Sequence, residues 1–239
     1  MATTLNFDKL NRLEKPVKKS KAIPYRQYFG EMFISPEEMR ERIELAEAIE
    51  DVMLYILAYW GIASDADLPM SEVKQEGINN LTAAVGKHIV IDPYVENHIK
   101  DVVNEVVDVT QRRAKENEED SDEEQEVLDE FMEDKPKGES DKDYWLSRDR
   151  AQLISENEAN AFYNYDKYRE AKATGKTKKT WVTEGDEKVR ITHTLVEEKT
   201  IDIDGLFLVG FSQMRFPMDW EYDPDPSEII NCRCTCEYK

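Results

Sequence analysis

Three cysteines close this chain within five residues: Cys232, Cys234 and Cys236, in Ile229-Ile230-Asn231-Cys232-Arg233-Cys234-Thr235-Cys236. Side chains alternate faces along a strand, so an extended segment points all three thiols one way, and Asn231, Arg233 and Thr235 the other. Thiolates ligate soft metals and act as nucleophiles when their pKa is lowered. His193 supplies the second donor type. It sits in Val189-Arg190-Ile191-Thr192-His193-Thr194-Leu195, whose alternation predicts a strand with Ile191 and His193 on its apolar face.

Three chemistries follow from these residue types. His193, Cys232 and Cys234, completed by Cys236 or an aspartate, form a candidate zinc site, since zinc accepts mixed nitrogen and sulfur ligands. Cys232 or Cys234 beside His193 would make a nucleophile–base pair, which needs an exposed, acidified thiol. The third reading is structural, with thiols packed as small apolar groups and His193 satisfied in a core. The structural reading is carried forward, with no cofactor and no catalytic set. Arg190 and Arg233 fall on the opposite face, with Asp186, Glu184, Asp202 and Asp204 near in sequence. They read as an ion-pair network holding a small sheet, the alternative being a phosphate-binding cleft.

The elements that must position these groups form an α+β chain. Its 239 residues carry a net charge of −20, spread unevenly. Residues 1–30 are a basic arm, with Lys15, Lys18, Lys19, Lys21 and Arg26 broken by Pro16 and Pro24; such an arm docks on an acidic partner or touches DNA phosphates. Residues 31–115 are helical. Ser35, Pro36 and Glu38 form a capped start, and Met39, Ile43, Ala46, Ile49, Met53, Ile56 and Trp60 recur at helical spacing towards Gly61. A shorter helix is expected over 71–85, and a longer one opens at Asp92-Pro93 with Val95, Ile99, Val102, Val106 and Val109 as its stripe. Residues 116–142 are an acidic linker; twelve carboxylates fall within 116–136. The module at 143–239 begins with a helix to about Ala173, whose apolar face holds Trp145, Ala151, Phe162 and Tyr165. A strand at Thr180-Trp181-Val182-Thr183 makes Trp181 a core anchor. Short extended pieces follow at 200–205 and 207–209, and the cysteine strand closes the chain.

No run of residues is apolar enough for a membrane span. Met1-Ala2-Thr3-Thr4-Leu5-Asn6 lacks a signal-peptide core. The expected site of synthesis is cytoplasm, where thiols stay reduced.

The order of short motifs in the C-terminal third resembles the phage head morphogenesis family, the phage Mu protein F-like minor capsid proteins. The series runs through Arg150-Ala151-Gln152-Leu153-Ile154-Ser155-Glu156-Asn157-Glu158, then Lys179-Thr180-Trp181, and Arg190-Ile191-Thr192-His193. It continues through Asp202-Ile203-Asp204-Gly205-Leu206-Phe207, Phe216-Pro217 and Asp225-Pro226 to Asn231-Cys232-Arg233-Cys234. The resemblance covers residues 145–236. It implies a minor virion protein inside a tailed-phage head near the portal, assisting assembly, DNA packaging or ejection. The implied partners are the portal and the major capsid or scaffold protein. The chain departs from the family pattern at Val209-Gly210-Phe211-Ser212 and in its acidic insert. The rival function is an enzyme or toxin-like effector, a nuclease or a cysteine-based one, carried in the head and injected with the DNA.

Overall fold

The computed structural model describes residues 24–63, 70–116 and 146–239. Its elements in order are α1 (Tyr25–Gly30), α2 (Pro36–Ala63), α3 (Met70–Val85), α4 (Pro93–Glu116) and α5 (Arg148–Ala173). They are followed by β1 (Lys178–Val182), α6 (Ile191–Thr194), β2 (Thr200–Asp202), β3 (Phe207–Val209), β4 (Ser212–Met214), α7 (Pro226–Ile229) and β5 (Thr235–Tyr238). The fold class is α+β as the sequence predicts, helical first and then a small helix-plus-antiparallel-sheet part. Lys15, Lys18, Lys19, Lys21 and Trp145 lie outside the described residues, as does nearly all of the acidic linker.

The chain forms two compact units. The first comprises, among described residues, 48–63, 70–84, 92–116 and 146–155. Its core is aliphatic: Ile49, Met53, Ile56 and Leu57 of α2, Val73 and Leu81 of α3, and Val95, Ile99, Val103 and Val107 of α4. The valines of α4 lower its intrinsic helix propensity, and burial holds it instead. Gly77 of α3 sits where an added Cβ would lie 3.0 Å from both Ile56 and Val103, so three helices close on that point. Arg150 donates to Thr110 Oγ1 at 2.6 Å inside this unit.

The second unit comprises, among described residues, 24–47, 85–91 and 156–239. Ser35 caps α2 by accepting from Glu38 N–H at 3.1 Å. A three-stranded antiparallel sheet has the order β2-β1-β5, with Trp181 opposite Cys236 and Lys179 opposite Ile201. Strands β3 and β4 form a separate hairpin turning at Gly210, whose φ of +58° suits glycine. Ala161, Trp181, Val196, Phe207, Val209, Met214, Met218, Cys232 and Cys234 make one buried cluster.

Two expected strands differ from the structure. Within the strand expected over 189–195, Ile191–Thr194 form a helical turn, with Ile191 81% and Leu195 78% exposed and His193 buried. Both edges of β1 are taken by β2 and β5, so this segment finds no ladder there. The expected strand over 229–236 is a helical turn up to Ile229, a kink at Asn231 with φ +56°, and ladder pairing only from Thr235. Cys232 and Cys234 therefore precede the strand, and only Cys236 lies on it.

Candidate functional site

The backbone around the cysteines is held from α5. Asn157, Asn160 and Asn164 recur at helical spacing, on one face. Asn231 N–H donates to Asn157 Oδ1 at 2.6 Å, Asn160 Nδ2 donates to the Cys232 carbonyl at 2.7 Å, and Asn164 Nδ2 donates to the Cys234 carbonyl at 3.4 Å. Behind them lies Arg42, 1% exposed, on the buried stripe of α2. Its guanidinium donates to Glu38 Oε1 at 2.7 Å, to Asn164 Oδ1 at 3.0 Å and to Asn160 Oδ1. Asn160 and Asn164 face the cation with their oxygens and the cysteine segment with their amides, which sets their orientation.

On that segment Cys232 and Cys234 turn inward to His193. The His193 Nδ1 lies 3.3 Å from Cys234 Sγ and 3.6 Å from Cys232 Sγ, and Nε2 lies 3.1 Å from Glu228 Oε2. Glu228, at 8% exposure, also accepts from Thr192 Oγ1 at 2.7 Å. A Cβ on Gly210 would fall 2.3 Å from Glu228 Oε1, so the hairpin turn must be bare for this carboxylate to fit. The Trp181 ring meets His193 edge-on at 5.7 Å and Phe207 at 5.1 Å.

The electrostatics follow from who donates to whom. The Cys234 thiol donates to Cys232 and, with His193, holds Cys232 well below the ordinary thiol range; the pair shares one proton, so Cys234 is pushed up. Burial pulls the His193 pKa down, but the hydrogen bond to Cys232 and its charge outweigh that and leave it raised. These three residues are the cluster among the described residues able to hold a cation, with their donor atoms all within 4.8 Å. Cys236 stands apart, packed against the sheet core, and burial pushes its thiol up to about 12.

The remaining predicted residues separate. Arg233 points away from the sulfurs: Nη2 donates to Asp186 Oδ1 at 2.7 Å and Oδ2 at 2.8 Å, and Nη1 donates to Glu31 Oε2 at 3.2 Å. Arg190 donates to the Ile230 carbonyl. Asp202 pairs with Lys178, and Asp204 with Lys172, so neither aspartate joins the two arginines. Arg190, His193 and Arg233 line one cavity of about 10 Å³. Glu228, Arg42 and Asn164 carry no motif signal. A polar residue on an otherwise apolar helical stripe was the available hint, for Arg42 beside Leu45 and Ala46 and for Asn164 beside Tyr165.

These placements can be set beside known proteins. The profile of the phage Mu protein F like proteins matches residues 100–237, from within α4 to within β5 and across the whole thiol–histidine cluster. No curated protein matches the chain, and no solved structure does. The profile spans more than half of the 239 residues, so the chain belongs to the phage Mu protein F like family, a family of phage head morphogenesis and minor capsid proteins.

Proposed function

We propose that this minor capsid protein sits in few copies near the portal inside a tailed-phage head, and assists head assembly, DNA packaging or ejection by binding rather than catalysis. The family match over residues 100–237 carries the reading. The size of the polar cavity supports it. About 10 Å³ beside Arg190, His193 and Arg233 admits roughly one water, whereas ligand pockets run to about 300–1,000 Å³. A larger hollow of about 460 Å³ runs along β5, but its thiol, Cys236, is held protonated by burial and is a poor nucleophile. The cavity beside Arg190, His193 and Arg233 therefore gives the injected enzyme or effector no support.

Binding needs surface, and the second unit presents it. Ile191 on α6, Leu195 just after it, Leu208 on β3 and Phe211 beside Gly210 are exposed, Phe211 fully. A Cβ on Gly210 would lie 3.3 Å from Thr192 Cγ2, so α6 and the hairpin turn are neighbours. Apolar side chains grouped at a surface mark protein contacts, here with the portal or coat. The arm residues Lys15, Lys18, Lys19 and Lys21, with the exposed Arg26 of α1, are a second docking element towards DNA or an acidic protein.

The test is co-expression of the full chain with the portal protein, followed by affinity purification. The wild type is expected to retain the portal, Leu208→Ser/Phe211→Ser to retain less, and neutralisation of the four arm lysines to weaken incorporation into heads. A wild type that retains neither portal nor coat protein contradicts the reading.

A further inference from the structure

The cluster at His193 holds more than packing requires. Two sulfurs and one ring nitrogen converge from α6 and from the segment before β5, all three residues being buried. Lys179, the other unusual buried group, needs no further partner: it donates to the Ile203 and Gly205 carbonyls, both at 2.7 Å.

We propose that His193 Nδ1 and the Cys232 and Cys234 thiolates bind a thiophilic divalent cation of the zinc class, with a water as the fourth ligand. The distances fit such an ion. Tetrahedral zinc, with bonds of about 2.05 Å to nitrogen and about 2.3 Å to sulfur, sets those donors about 3.6 Å apart. The two observed separations are 3.3 and 3.6 Å. The outer contacts fit as well. A ligating imidazole gives its other N–H to a carboxylate, which fixes the tautomer and ring orientation; here Nε2 faces Glu228 Oε2 at 3.1 Å, leaving the Nδ1 lone pair towards the sulfurs.

Charge and space agree with that donor set. Two thiolates neutralise a divalent ion, so the filled site adds no net charge to a buried region. Arg233 lies between the two cysteines in sequence but is engaged by Asp186 and Glu31, which takes its charge away from the ligands. The cavity of about 10 Å³ beside the cluster suits one water and nothing larger, so the fourth position has room for water and none for a substrate. Binding displaces the proton shared by the two sulfurs to solvent and ties α6 to the segment that Asn160 and Asn164 hold from α5.

The test uses the full chain, purified without chelator, desalted and assayed for metal, then stripped and reloaded with zinc or cobalt alone. About one zinc per chain is expected, and the cobalt form should show strong sulfur-to-metal charge-transfer absorption. Cys236→Ser should keep both signals. Cys232→Ser and Cys234→Ser should lose the charge-transfer intensity, and Glu228→Gln should weaken affinity about 10- to 100-fold. A wild type that retains no metal after reloading, or binds cobalt with no charge-transfer band, overturns the proposal. So does full metal retention in the Cys232→Ser/Cys234→Ser double variant. The wild-type arms stand even if a variant does not fold.

Discussion

In the first unit, α2, α3 and α4 meet through Ile56, Leu57, Leu81, Ile99 and Val103, side chains without a polar atom, and the Arg150–Thr110 hydrogen bond is buried apart from that contact. In the second, Arg42, Asn160, Asn164, Lys179, His193, Glu228 and the two cysteines are buried together with Trp181 and Phe207. An aliphatic core tolerates exchange of shapes, because its attraction is undirected. A core threaded by donors and acceptors does not, because removing one partner strands another away from water. The second unit's bonded polar groups therefore favour one arrangement, with the Tyr28 hydroxyl and Trp181 Nε1 the buried side-chain atoms that, among the described residues, accept or donate no hydrogen bond in it.

Trp181→Ala should break the second unit most. Trp181 is fully buried against Phe207 and His193, and truncating a core aromatic costs about 3–5 kcal/mol. Denaturant unfolding read from tryptophan-independent circular dichroism checks this; a loss under about 1 kcal/mol would contradict the burial.

Arg42→Ala is next, at about 3 kcal/mol, because it strands two buried asparagine oxygens and leaves the Glu38 carboxylate only Lys167 at 3.6 Å. Arg42→Lys should recover only part of that, since an ammonium cannot reach all three oxygens as a planar fork does. Full rescue by lysine would reduce the site to a point charge.

Lys179 gives the comparison a pH signature. Burial outweighs the nearby Cys236 and Asp219 and pushes its pKa down to about 8. The unfolded chain, with a lysine pKa of about 10.4, then binds more protons than the native one above pH 8, so this group's contribution to stability rises with pH. Between pH 8 and pH 10 the gain is on the order of 2 kcal/mol relative to Lys179→Met. Parallel unfolding midpoints for the two proteins across that window would show the ammonium to be well solvated.

The smallest effect belongs to the first unit. Ile99→Val should cost about 1 kcal/mol and Leu81→Met less than about 1.5 kcal/mol. If either matched Arg42→Ala, the contrast between the two cores would fail.

What could be read from the chain follows the same division. The helices from Pro36 and Pro93 were legible because a stripe every three or four residues reports one buried face, while the helix from Met70 was expected over 71–85 without such a stripe. The α4 stripe is wider than expected, taking in Val103 and Val107 as well as Val102 and Val106. Trp181 on β1 was legible from its β-branched neighbours Thr180, Val182 and Thr183. The placement of His193 was not. Ile191, His193 and Leu195 alternate as a strand would, yet pairing depends on β1, whose edges are filled by residues 200–202 and 235–238. The cysteine row failed at Asn231, where a left-handed residue ends the alternation before Cys232. The convergence of His193 with Cys232 and Cys234 survived both errors, since the residue types were right and only their elements were wrong. Glu228 was invisible because its role is set by a turn at Gly210, eighteen residues away in sequence.

The most direct test of a binding role at the portal is to count this chain in purified particles made with and without a functional portal gene. Few copies per particle are expected when the portal is present, and loss of the chain from shells that lack it. Equal amounts in both kinds of shell, or absence from portal-containing particles, would contradict the account.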